Sequence, residues 1–196
     1  AMTFLPERVV VVDIDERLLT LINKVSKKNS LGIETYKCDL RKGLPENLKK
    51  RFDVVITNPP DTFLGKVLFT SKAIEFLSLK KGLKSGKVLY LGLGRSWMPY
   101  YSLLKLQRMF NQMGLVITDM LQDFLCYGQL PEDVYDFDAF NPPTKNKKIL
   151  RLTPPKNPWE FVTLVRLITT EKTKPLKLKN VKGHMIYDYT LMKKYL

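Results

Sequence analysis

A β-branched run, Val54-Val55-Ile56-Thr57, closes on Asn58-Pro59-Pro60-Asp61, and no other stretch limits the fold as much. Val, Val and Ile in succession read as a buried strand of a parallel sheet. Two consecutive prolines fix φ and remove two N–H donors, so the strand ends there. The side chains of Asn58 and Asp61 are thereby held at its carboxyl end, where ligands of open α/β sheets bind. A rigid shelf carrying an amide and a carboxylate can accept hydrogen bonds from an amine and aim its lone pair at an electrophile. In an arbitrary chain the same residues are only a turn. The surrounding elements decide between the two.

Those elements alternate. Arg8 to Asp13 is an apolar run ending in a carboxylate, and Asp15-Glu16-Arg17 opens a helix with acids in its first turn. Leu18, Leu19, Ile22 and Val25 follow at helical spacing, and Asn29 to Gly32 close the helix. Ile33 to Cys38 is a second strand, ending in Asp39-Leu40-Arg41, and the Asn58 strand is third. A helix is predicted from about Lys66 to Lys80, with Val67, Phe69, Ala73, Phe76 and Leu77 inward. It is followed by the strand Lys87 to Gly92, a helix from about Pro99 to Met113 stopped by Gly114, and a strand from Leu115 to Met120. Gly92-Leu93-Gly94 reads as a tight exit loop. Gln122 to Pro158 reads as a long loop region, and Trp159 to Thr170 as an antiparallel closing strand. Strands alternating with helices of this length imply parallel βαβ units with helices on both sheet faces. The expected fold is therefore an α/β, Rossmann-like, doubly wound, mostly parallel sheet over residues 1–170. A Lys-rich connector and tail follow over 171–196. The usual first strand and its Gly-rich turn are expected to be missing, since the chain opens on what corresponds to the second strand.

With 196 residues, 44% of them hydrophobic, the chain can bury one real core. It has no apolar run of 18 residues and no secretory signal, so neither a membrane span nor export is predicted and a cytoplasmic location fits. Two cysteines, Cys38 and Cys126, make neither a disulfide framework nor a zinc cluster, and no metal is expected. Cys38 reads as a small buried hydrophobe in a strand. The net charge of +14 points weakly to nucleic acid, because the excess is mostly Lys spread along helix faces and the tail.

Asp13, Asp39 and Asn58 stand at three successive strand ends. This is the layout of a nucleoside site in a Rossmann-type sheet: one carboxylate takes the ribose hydroxyls, the next lies by the adenine amine, and the third position faces the reactive end. The combination of Val11-Val12-Asp13-Ile14-Asp15-Glu16-Arg17-Leu18, Asp39-Leu40-Arg41-Lys42, Asn58-Pro59-Pro60-Asp61-Thr62 and Met113 to Asp119 resembles the carboxyl-terminal catalytic domain of branched-chain polyamine synthases (bis(aminopropyl)spermidine synthases). The likeness covers about residues 5 to 170; any one motif alone would say only class I methyltransferase-like. It implies the class I S-adenosylmethionine methyltransferase/spermidine synthase fold, and aminopropyl transfer from decarboxylated S-adenosylmethionine to spermidine. By the same resemblance, Asp13 and Ile14 would bind the ribose side of that co-substrate, and Asp39 and Leu40 its adenine. Asn58 and Asp61 would orient the amine on Pro59 and Pro60, with Asp119 on the polyamine side. The family usually has Asp where Asn58 stands, which moves the anionic work to Asp61. Its acidic Gly-Asp-Asp-Asp segment and amino-terminal domain would lie before residue 1.

A polyamine nitrogen is mostly protonated in water, so the site must take its proton and hold the neutral amine at a sulfonium carbon. Glu132, Asp133, Asp136 and Asp138, interleaved with Tyr135 and Phe137, could cradle the remaining ammoniums, unless they form only a solvated loop. Asp123 joins Asp119 as a weaker candidate. His184, Trp97 and Trp159 read as a surface residue and two packing residues. The second reading is an S-adenosylmethionine-dependent N-methyltransferase acting on nucleic-acid amino groups, for which an aromatic would be expected at position 61 to stack on the base. Asp61 suits an ammonium better. A third reading is a non-catalytic remnant binding RNA or a partner through its lysines. A sheet without its first strand should expose apolar surface, and a homodimer is expected to cover it.

Overall fold

The computed structural model describes residues 6–79, 85–94, 100–127, 160–178 and 181–182. The chain divides into two compact units, residues 1–49 and 50–196. Residues 171–178 follow β6 within the second unit: Leu176 and Leu178 pack on its core, and Ser71 Oγ donates to the Leu176 carbonyl at 2.9 Å.

The first unit is one βαβ crossover: β1 (Val9–Asp13), α1 (Glu16–Lys28) and β2 (Ile33–Lys37). β1 and β2 pair in parallel, from Val9 opposite Ile33 to Asp13 opposite Lys37. Asp15 caps α1, its carboxylate accepting from Arg17 N at 2.9 Å. Glu16 in the first turn and Lys27 and Lys28 in the last complement the helix dipole. The expected inward stripe is only partly inward. Leu19 is buried and Ile22 half-buried, but Leu18 and Val25 are exposed, because the apolar arc of α1 is wider than a two-stranded sheet can cover. Cys38 falls just after β2 and is half-buried, its thiol donating to the Gly43 carbonyl, so it is less enclosed than expected.

The second unit holds β3 (Val54–Thr57), α2 (Phe63–Phe76), β4 (Val88–Gly94), α3 (Tyr100–Gln112), β5 (Leu115–Tyr127) and β6 (Glu160–Thr169). Its sheet runs β3-β4-β6-β5. β3 and β4 are parallel across the α2 crossover, and β6 is antiparallel to both its neighbours, as the lack of a following helix predicts. α2 and α3 touch each other and build the core with β4 and β6, through Val67, Ile74, Leu91, Phe110 and Leu167.

Several boundaries differ from expectation, and α2 ends at Phe76 rather than near Lys80. α2 starts at Phe63 rather than Lys66, because Thr62 caps it by accepting from Gly65 N at 3.0 Å. β4 continues through Gly94, so Gly92-Leu93-Gly94 is strand and not an exit loop. β5 continues to Tyr127, so residues 122–127 are strand and not loop. The long β6 supplies its ladder, and register shifts after Ile117 and Leu121 absorb the polar residues.

Among the described residues β3 pairs only with β4, and Val54 and Ile56 are 49% and 73% exposed. The apolar run that predicts burial on both faces is therefore covered on one, and the expected helices on both faces are not found for β3 in this unit. No described helix is long and apolar enough to cross a membrane. Glu132, Asp133, Asp136, Asp138, Tyr135, Phe137, Trp97, Trp159 and His184 lie outside the described residues.

Candidate active site

The shelf forms because β3 stops at Thr57 and α2 starts at Phe63, leaving five residues to turn the chain. Pro59 is buried and Pro60 half-buried, while the Asn58 side chain stays exposed. The two polar side chains rest on alternate glycines of β4. A Cβ built on Gly92 would lie 2.2 Å from Asn58 Oδ1, and one built on Gly94 would lie 2.2 Å from Asp61 Oδ2. No side chain other than hydrogen leaves room for either group, which is why β4 ends Gly-Leu-Gly.

A cation nobody would pick from the sequence completes the arrangement. Lys66, on the first turn of α2, is fully buried. Its Nζ donates to the Pro59 carbonyl at 2.8 Å and the Gly92 carbonyl at 2.7 Å, and forms an ion pair with Asp61 Oδ1. A lysine ammonium has three donors, and three oxygens face this one. Burying it without such partners would cost several kcal/mol. Asp61 Oδ1 also accepts from Gly94 N at 2.9 Å, whereas Oδ2 accepts no hydrogen bond among the described residues. Its side chain retains 14% exposure. The carboxylate is thus anchored by one oxygen and available at the other.

In the first unit, β1 and β2 are parallel, so Asp13 and Asp39 both leave the carboxyl edge of that sheet. Asp13 Oδ1 accepts from Asp15 N at 2.8 Å, which turns the chain into α1 and orients the carboxylate. The Cys38 amide extends the ladder by donating to the Asp13 carbonyl at 2.9 Å. Asp39 is held by Arg41 through both oxygens, at 2.7 Å and 2.6 Å, and by the Arg41 amide at 3.1 Å. The Arg41 guanidinium, above all by hydrogen bonding, keeps the Asp39 carboxyl below the usual range. Ile14 is 56% exposed and Leu40 half-buried beside these acids.

Asp119 is placed differently from the others. It lies within β5, not at a strand end, exposed and paired across the ladder with Arg166 at 2.9 Å. That hydrogen bond lowers its pKa. Among the described residues it makes no hydrogen bond or ion pair with the shelf. Among the described residues no group of three or more His, Cys, Asp and Glu is placed to hold a metal ion.

With this geometry in hand, residues 1–190 match the family model of the branched-chain polyamine synthase A C-terminal domain. The chain belongs to that family. The N(4)-bis(aminopropyl)spermidine synthase of Thermococcus kodakarensis is 31% identical over 190 residues, covering 94% of this chain and 50% of that protein. The enzyme of the same name from Methanocaldococcus jannaschii is 37% identical over 125 residues, 63% of this chain and 34% of that one. Among solved structures, the C9 mutein of the Thermus thermophilus branched-chain polyamine synthase, in complex with N4-aminopropylspermidine and 5′-methylthioadenosine, superposes with a TM-score of 0.73 at 27% identity. It is matched over 94% of this chain and 49% of its own. The chain thus spans about half or less of these relatives' length. The likeness carries the class I methyltransferase-like, mixed α/β fold that the motif resemblance implies.

Proposed function

We propose that this chain carries the catalytic shelf of an aminopropyltransferase that alkylates an amine of spermidine with decarboxylated S-adenosylmethionine. The observation that carries this reading is the pair Asn58 and Asp61, seated on Gly92 and Gly94 with Asp61 Oδ2 left to accept. Family membership supplies the substrate class. In the reaction, the amine lone pair attacks the propyl carbon next to the sulfonium. The C–S bond breaks, its electron pair stays on sulfur, and 5′-methylthioadenosine leaves. The Asn58 amide oxygen and Asp61 Oδ2 hold the neutral nitrogen, and its proton passes to Asp61 directly or through water. Pro59 and Pro60 keep both acceptors in place. Asp13 and Ile14 serve the ribose, and Asp39 and Leu40 the adenine, with Arg41 fixing the Asp39 carboxylate. Asp119 serves the polyamine more remotely. A homodimer covers the exposed face of β3.

Two substitutions test the roles. Asp61→Asn keeps an oxygen for Lys66 and Gly94 but loses the proton acceptor, so turnover should fall by ~10²- to 10⁴-fold with nucleoside affinity nearly intact. Asp13→Ala should do the reverse, costing roughly 1.5–3 kcal/mol of nucleoside binding. Full aminopropyl transfer by Asp61→Asn would reduce the shelf to a turn.

A further inference from the structure

The reaction just described leaves Lys66 without a task. It is fully buried, and together with the Gly94 N–H on Asp61 Oδ1 it joins the shelf to the end of β4. Its neighbours Leu64, Gly65, Val67 and Leu68 are buried as well, so nothing in α2 requires a cation there. A buried ion pair is a weak source of stability; apolar residues of similar volume often do as well or better. The pair is therefore better explained by what it holds. The Pro59 carbonyl fixes the shelf's height, the Gly92 carbonyl ties it to the strand under Asn58, and Asp61 Oδ1 sets the rotation of the carboxylate. With Gly94 N on the same oxygen, only Oδ2 remains to receive a ligand.

We propose that Lys66 is a positioning residue for the acceptor amine: it clamps Asp61 by Oδ1 so that Oδ2 meets the amine N–H. The inference rests on reading the shelf as the amine site. It assigns Lys66 no contact with either substrate. Misplacing a reacting group by about 1 Å can cost ~10²-fold in rate, and this sets the size of the effect.

The experiment is a double-mutant cycle in the complete natural polypeptide, with aminopropyl transfer from decarboxylated S-adenosylmethionine to spermidine as the assay. Lys66→Met should lower kcat ~10- to 100-fold while KM for decarboxylated S-adenosylmethionine moves less than about twofold. Added to Asp61→Asn, it should cost less than about threefold more, because the two residues act as one unit. A purely structural strut would instead lower the folded fraction and leave kcat per folded molecule unchanged, or multiply with Asp61→Asn. Either result overturns the proposal. If Lys66→Met does not fold, Lys66→Gln, which retains donors for the carbonyls but not the charge, is put through the same cycle. Should the unmutated protein transfer no aminopropyl group, the reading of the shelf fails, and this inference with it. Transfer by the wild type with an unaltered Lys66 variant sinks the inference alone.

Discussion

Gly92 and Gly94 give the residue scale its sharpest prediction, because the same substitution meets two different neighbours. At Gly92 an alanine methyl collides with the side chain of Asn58, an exposed residue, and comes 3.1 Å from Val162 Cγ1. Gly92→Ala should therefore lose activity, with a smaller loss of stability than the change at Gly94. At Gly94 the methyl collides with Asp61, whose other oxygen is tied to buried Lys66 and cannot yield as freely. Gly94→Ala should lose activity and also ~1–3 kcal/mol of stability, the usual cost of overpacking. Urea unfolding of the two variants checks the difference; equal stability losses would contradict it. At this scale Asn58-Pro59-Pro60-Asp61 was legible in the sequence, since prolines after a β-branched run announce a rigid strand end. Lys66 was not. Its only signal is a lysine flanked by apolar residues in α2, and snorkelling explains most of those equally well. The glycines misled because Gly-Leu-Gly is also loop composition; only the side chains resting on them show why strand β4 needs them.

At the scale of elements, local chemistry read correctly where it was self-contained. Asp15 caps α1 as the acidic start predicts, and Arg17, chiefly by hydrogen bonding, lowers its pKa from 3.8 to about 2. A carboxyl depressed in the folded state adds stability above its unfolded pKa and loses it as pH falls through the folded value. The stability gap between wild type and Asp15→Asn should hold above about pH 5 and close between pH 3.8 and about 2. Urea midpoints across that range measure it, and a gap that widens toward acid would refute the capping account. Boundaries set by distant partners were not legible. β5 runs to Tyr127 because β6 lies beside it, a contact more than 30 residues away in the chain. Likewise, the arc from Leu18 to Val25 marks α1 as a helix but cannot say how much of it two strands will cover.

For the whole molecule, the alternation of strands and helices was enough to reach the fold, and the family followed from the resemblance of the motifs at 11–18, 39–42, 58–62 and 113–119 to branched-chain polyamine synthases, while assembly was not legible. β3 has one paired edge among the described residues, and it exposes Val54 and Ile56. Such a strand favours association, so the protein should self-associate at tens of micromolar, and Ile56→Lys should weaken this. Sedimentation velocity would show it, and a monodisperse wild-type monomer would count against it. The charge of +14 keeps a nucleic-acid substrate as the competing account. One measurement separates the two most directly: the protein is incubated with decarboxylated S-adenosylmethionine and spermidine, and in parallel with S-adenosylmethionine and RNA. Products are then resolved by mass spectrometry. The aminopropyltransferase account predicts aminopropylated spermidine and 5′-methylthioadenosine in the first reaction and unmodified RNA in the second. Methylated RNA with no aminopropylated polyamine would contradict it.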